Sequence, residues 1–283
     1  MTKFSTPPSG FKGTKYIKME NLKKIYVRIS PLGSGALYFL GSMAILIGIW
    51  QLISVITKAE IPGPVSTWAV FKELMAEPFY DRGPNDKGIG NNLMSSIGRV
   101  FTGFALGSII AIPMGMLMGS SKIGMSLLNP IVQILKPVSP LAWFPLGLLA
   151  FKDSGGATIF IIAITSLWPT VINTAFGVSS IPQDHKNVGK AFGFSTWKYL
   201  TKIVIPYSLP HIFTGLRLSI GIAWVVIVAG EMLSGGVGIG FFVWDSWNGL
   251  SLEKILVAIL IIGGVGLILD KGFNALQKAF SWE

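Results

Sequence analysis

Three charged residues stand inside otherwise apolar stretches: Arg99, Lys136 and Glu231. A charge in such surroundings pairs with another charge, meets a charged ligand or lines a water-filled cavity. Arg99 lies four residues before Gly103, and Gly103, Gly107, Ala111, Gly115 and Gly119 then recur at every fourth position. That spacing places them on one helical face, where small residues let two helices approach closely. Arg99 extends the same face, so it points at protein or water and not at lipid. Two readings stand: an anion-attracting residue on a path through the bundle, or an ion pair with Glu231. Lys136 sits in Leu135-Lys136-Pro137-Val138-Ser139-Pro140. The prolines remove backbone donors and leave carbonyls free, and broken helices at membrane depth are tolerated where they are buried or line a cavity. A cation beside such a break either meets an anion or snorkels to the membrane surface.

Other chemistries have little to build on. The sequence has no cysteine and two histidines, His185 and His211, which removes thiolate sites and makes a histidine-rich metal site improbable on numbers alone. Asp184 and His185 form the one close acid–histidine pair, but adjacent helical residues face different directions. No GxxxxGK[ST] phosphate loop occurs, so ATP is not hydrolysed by that route.

These residues need elements to hold them, and composition says which. The 283 residues are 51% hydrophobic and 13% charged, with a mean hydropathy of +0.62. That is too little polar surface to cover a water-exposed globule, for which about 25% charge is usual. Apolar blocks at about 36–57, 93–118, 125–151, 157–178, 217–233 and 252–269 approach or exceed the roughly 20 residues that cross a bilayer. The third is interrupted by Pro130, Pro137, Pro140 and Pro145. The fold class is therefore an all-α integral membrane bundle of about six transmembrane helices. The formal charge of +10 reflects topology, not nucleic acid: cations cluster in 1–34, 179–212 and at the C-terminus, which places both termini in the cytosol.

Within 1–34, Leu22, Ile25, Tyr26 and Ile29 alternate with lysines at helical spacing, the pattern of an amphipathic elbow helix on an anionic membrane face. Residues 35–90 hold the first span and an outer segment in which Ser66 caps a short helix. Residues 91–278 form the core, with a polar loop at 179–212. In that loop, Ser180 marks a helix start, 184–192 reads as one short helix, Gly193 interrupts it, and Ser195 caps a second helix ending near Pro206. Val188, Ala191 and Phe192 give this loop an apolar side, which suits a docking element or a segment lying on the bilayer.

The stretch Asn187-Val188-Gly189-Lys190-Ala191-Phe192-Gly193, followed after nine residues by Ile203-Val204-Ile205-Pro206, resembles the EAA loop of ABC importer permeases. The family pattern is Glu-Ala-Ala, three residues, Gly, nine residues, Ile-x-Leu-Pro. Gly193, Ile203 and Pro206 match it; Asn187 stands for Glu, Val188 and Gly189 for the two Ala, and Ile205 for Leu. The departures resemble the nitrate/sulfonate/bicarbonate branch, and 240–245 is most similar to cyanobacterial nitrate and bicarbonate permeases. The resemblance implies a type I importer fold and a coupling helix seated in a separate ATPase. It also implies two such ATPases holding ATP and magnesium, a second permease copy in a homodimer, and a periplasmic or lipid-anchored substrate-binding protein. The location it implies is a bacterial inner membrane of cyanobacterial type, the cargo a small inorganic anion, nitrate before bicarbonate or sulfonate, and it implies no cofactor in the chain itself. An ion-coupled secondary transporter is the competing class, on the strength of the broken third span and the intramembrane charges.

Overall fold

The computed structural model describes residues 31–280, and every regular element among them is helical. The basic tail and elbow helix expected over 1–34 lie outside the described residues up to position 30. Five helices are long and apolar enough to cross a membrane, and a sixth span forms if one bent pair is counted as one. The chain divides at Pro64 into two units.

The first unit holds helix α1 (Pro31–Ile56). It is apolar on all sides, exposing Leu40, Ile45, Leu52 and Ile56, as a lipid-facing helix requires. After it the chain turns back, and the Trp50 indole N–H donates to the Pro62 carbonyl at 2.9 Å.

The second unit contains α2 (Pro64–Ala76) from Val65 onward, α3 (Ile89–Ser120), α4 (Lys122–Leu135), α5 (Phe144–Phe151) and α6 (Ser154–Ser179). It continues with α7 (Gln183–Ala191), α8 (Thr196–Tyr199), α9 (Ile205–Ser234), α10 (Ile239–Asn248) and α11 (Leu252–Phe280). The short helix around Ser66 thus starts at Pro64, a residue suited to the first helical turn because its missing N–H is not needed there. It packs with this unit through Val70, Phe71 and Leu74 against Ile239 and Val257.

The small-residue stripe of α3 lies on α6. A Cβ added at Gly107 would sit 2.5 Å from the Ala163 carbonyl, and one at Gly119 2.5 Å from that of Ala175. Gly103 faces Ile162 and Gly115 faces Thr174, so the two helices run parallel with backbones in near contact. Between them Ala111 is fully buried beside Val171 and Ala175. Helix α9 runs antiparallel to α6, with Gly215 over Thr170, Gly230 over Ile161, and a 2.8 Å hydrogen bond joining the Thr170 and Ser219 hydroxyls. Helix α11 closes on α9, where Trp224 Nε1 donates to the Ile262 carbonyl.

The proline-rich span is broken. Helix α4 stops at Leu135, a 3₁₀ turn covers Pro140–Trp143, and the two halves are bent by 95°. Pro137 and Pro140 supply no amide N–H, so the ladder cannot continue through them.

Two loop expectations need correction. Ser180 starts no helix: its N–H bonds back to the Phe176 carbonyl and its hydroxyl donates to that of Gly177, so it ends α6. Pro182 sets the boundary, because a residue before proline is driven out of helical geometry. The second loop helix also does not stop near Pro206. It passes through a π-turn at Leu200–Val204 into α9, where Pro206 lies in the first turn and needs no backbone partner.

The α3–α6 contact predicts that Gly107→Leu destabilises the bundle by about 3 kcal/mol, the upper range for an overpacked site whose neighbour is rigid backbone. Thermal unfolding of the purified chain in detergent is the measurement. An unchanged midpoint would contradict the packing described.

Candidate functional site

Of the predicted charges, Arg99 and Glu231 meet. Arg99 Nη1 donates to Glu231 Oε1 at 2.7 Å and to the Val237 carbonyl at 2.6 Å. The other carboxylate oxygen accepts from the Ser96 hydroxyl at 2.6 Å and from the Gly240 amide at 3.0 Å. Glu231 is fully buried, while the Arg99 side chain keeps 22% exposure. Helix geometry explains the meeting: Asn92, Ser96 and Arg99 share one face of α3 at helical spacing, opposite the end of α9. Asn92 accepts from the Gly238 amide, and the Ser96 hydroxyl accepts from that of Ile239. Gly238 has no room for a side chain, since a Cβ there would stand 2.3 Å from the Glu231 carboxyl carbon. The carboxylate therefore fastens the turn between α9 and α10 to α3. This is the ion-pair reading of Arg99.

Just before α3, Lys87 Nζ bonds Asp81 Oδ2 at 2.6 Å. That hydrogen bond holds the Asp81 carboxyl below the ordinary carboxylate range.

Lys136 is placed differently. It ends α4 at the helix break, is exposed, and joins no carboxylate among the described residues. It lines a cavity of about 270 Å³ whose walls include Ser139, Trp143, Thr165, Trp168 and Ile222. Trp143 Nε1 is buried beside it with no hydrogen-bond partner. The proline run pointed to this break, but the two tryptophans that wall the cavity carried no separate signal, because each lies in an apolar stretch where tryptophan reads as packing.

Between this cavity and the loop lies a pair that the span boundaries hid. Arg217 donates through Nε and Nη2 to the two oxygens of Asp270, at 2.9 and 3.0 Å, and through Nη1 to Asn274 Oδ1 at 3.0 Å. Both side chains stay open, at 33% and 51% exposure. Each residue stood at the edge of an apolar block, where a charge reads as the end of a span.

The loop 179–212 is anchored from one side and open on the other. Val178, Ile181 and Val204 form a buried cluster with Tyr199, Ile203 and Tyr207. Gly189 is buried against the Tyr199 ring, which a Cβ would approach to 2.9 Å. Asn187, Val188, Lys190, Ala191 and Phe192 are exposed, and Asn187 accepts from Gln183 Nε2 at 3.1 Å. Gly193 has φ +57° and open space around it, a left-handed residue that ends the helix as glycine does at no steric cost. Its N–H bonds the Lys190 carbonyl, and that of Phe194 bonds Gly189. Ser195 caps α8 by accepting from the Lys198 amide. A firm base thus presents Val188, Phe192 and Trp197 outward, the last two at 74% and 73% exposure. Apolar anchors on a rigid helix are what a partner's groove takes up.

The family described as "Binding-protein-dependent transport system inner membrane component" matches residues 103–281. The chain is 42% identical to the nitrate import permease protein NrtB of Synechocystis sp., over 84% of this chain and 86% of that protein. It is 46% identical to the bicarbonate transport system permease protein CmpB of the same organism, over 81% and 83%. A chain of the inward-facing MetNI methionine ABC transporter superposes with a TM-score of 0.60 at 14% identity, covering 68% of this chain and 96% of that one. An amino acid ABC transporter gives 0.55 at 13% identity, covering 76% and 95%. At those identities the likeness carries the fold alone.

Removing one partner of a buried ion pair costs about 3–5 kcal/mol, because the other charge is left unpaired. Glu231→Ala is expected to lower thermal stability by that order. Glu231→Gln, which still accepts from Ser96 or Gly240, is expected to lose less. Equal midpoints for Glu231→Ala and the unsubstituted chain in a detergent melt would refute the clamp.

Proposed function

The chain belongs to the ABC importer permeases, the inner membrane components of binding-protein-dependent transport systems, and we propose that it carries nitrate or nitrite inward across a bacterial inner membrane. The observation that carries the cargo class is Lys136, a cation with no carboxylate partner among the described residues, at a 95° helix break and lining its own cavity. Ile222 of that cavity lies roughly 18 Å along α9 from Ser234, at ~1.5 Å per residue. That is near the middle of a hydrocarbon core of about 30 Å, where broken helices build substrate sites. Arg99 is a weaker candidate for the path, since Glu231 neutralises it, and Glu231 holds the scaffold.

The walls around Lys136 are mostly apolar, with Val138, Trp168 and Ile222 among them. Nitrate carries no O–H and needs donors only. Bicarbonate brings an O–H that must find an acceptor or be buried unpaired at a cost of about 1–3 kcal/mol. Here the Thr165 hydroxyl already donates to the Ile161 carbonyl, which leaves Thr165 and Ser139 as side-chain acceptors of one more bond. Because those two hydroxyls can take the bicarbonate O–H, the preference for nitrate rests on the nitrate permeases among the relatives. Bicarbonate keeps support from the relatives of equal similarity.

The remaining parts follow the family. Two ATPase subunits holding ATP and magnesium would receive α7 through Val188 and Phe192, with Asn187, Gly189, Lys190, Ala191, Gly193, Ile203 and Pro206 shaping the contact. A second copy of this chain would complete the pathway as a homodimer, and a periplasmic or lipid-anchored binding protein would deliver the anion.

The experiment is uptake by the reconstituted complex, with nitrate, bicarbonate and taurine compared. Nitrate accumulation is expected to exceed the others; transport of taurine alone would overturn the cargo. Lys136→Ala should raise the KM for nitrate about tenfold or more, the loss of a charge-assisted hydrogen bond worth about 1.5–3 kcal/mol. Gly193→Val adds about 1–2 kcal/mol of left-handed strain without a clash. It should lower uptake and transport-stimulated ATP hydrolysis together, and unchanged rates would remove the loop from coupling.

A further inference from the structure

We propose that Arg217 is a second anion station, on the inner half of the transport route, with Asp270 as its resting counter-ion. The proposal rests on the importer reading above and adds a site to it. Three cavities adjoin along one face of α9. The Lys136 cavity shares Ile222 with a cleft of about 610 Å³ lined by Leu218, Gly221, Val225 and Arg217. That cleft shares Thr214, Arg217 and Gln277 with a larger one of about 820 Å³, which reaches the loop at Lys202, His185 and His211. Arg217 therefore stands at the neck between the mid-membrane cavity and the loop side. Its depth agrees: it lies roughly 25 Å along α9 from Ser234, near the far edge of a core about 30 Å thick.

Exposure carries the argument further. An ion pair inside a span does not face lipid, yet Arg217 and Asp270 keep 33% and 51% of their side chains open. Water or protein must therefore meet them, and the cavities on both sides favour a water-filled route. The contrast lies in the carboxylates: Glu231, paired with Arg99, is fully buried, while Asp270 is half open.

Donor geometry gives Arg217 capacity. A guanidinium has five N–H donors; Asp270 takes one from Nε and one from Nη2, and Asn274 takes one from Nη1. One N–H on each terminal nitrogen is left. An oxyanion can bridge those two while the clamp persists, since planar, delocalised anions suit the guanidinium fork. Beyond the neck, the larger cleft has no Asp or Glu among its described lining residues. An anion leaving Arg217 meets only cationic or neutral groups there. The recognised chemistry is a small oxyanion, which could arrive as transported cargo or as the head group of an anionic lipid.

The test uses the complete complex in vesicles of neutral phosphatidylcholine and in vesicles with added phosphatidylglycerol. Arg217→Gln is expected to cut nitrate uptake at least tenfold while the ATPase subunits still co-purify. Asp270→Asn frees the guanidinium and is expected to lower the apparent KM for nitrate. A purely structural pair would lose uptake equally from either change, and that symmetry would overturn the proposal. If Arg217→Gln fails to assemble, Arg217→Lys keeps the charge and removes the fork: a raised KM at unchanged ATPase assembly supports the station, and wild-type kinetics refute it. Retention of phosphatidylglycerol through Arg217 with nitrate kinetics unaffected would assign the site to lipid and refute the station. A wild-type complex that moves no anion would instead remove the importer reading.

Discussion

A carboxylate inside a bilayer has to be satisfied by protein, and Glu231 is satisfied from several directions at once. Arg99, Ser96 and the Gly240 amide converge on its two oxygens, and Arg99 reaches on to the Val237 carbonyl. An uncompensated buried charge would cost several kcal/mol, so these groups move together or not at all. The clamp ties α9 and the α9–α10 turn to α3, and α3 is in turn pressed onto α6 through its glycine face. The result is a rigid unit of α3, α6 and α9, with little freedom of its own.

Against that unit, two other charged sites are left open. Lys136 lies at a helix break with a cavity beside it, and Arg217 is clamped but only half-buried, against the exposed Asp270. The three sites form a series from most enclosed to most open, and a charge at membrane depth that is not enclosed by its partner is left to meet water or a ligand. On the loop side, the structure keeps a second division. Gly189 and Ile203 face inward to hold α7, while Val188 and Phe192 face outward. Motion of a partner at the outward face would be passed to α9 through the buried cluster around Val204 and Tyr207.

Much of this was legible in the residue order. The four-residue repeat from Gly103 to Gly119 announces a close helix contact, though not that α6 is the neighbour. Arg99 and Glu231 were legible as possible partners because each stands inside an apolar block and the two carry opposite charge. The break at Lys136 follows from proline chemistry, and Gly193 from the loop motif. What was not legible depends on helices that outrun their apolar blocks. Helix α9 starts at Ile205, well before the apolar block at 217, and α11 continues to Phe280, past its end at 269. Arg217 and Asp270 therefore stand in the sequence as span ends, and nothing local indicates that they meet. Ser180 misled for a related reason: serine ends a helix by bonding the previous turn as readily as it starts one.

On the importer reading, this chain moves an anion only when partner subunits hydrolyse ATP. The direct measurement is nitrate accumulation in sealed vesicles containing the chain alone, or the chain with its ATPase and binding-protein partners, with and without ATP. Accumulation that requires the partners and ATP together is the predicted result. Accumulation by the chain alone, driven by an ion gradient without ATP, would contradict the account.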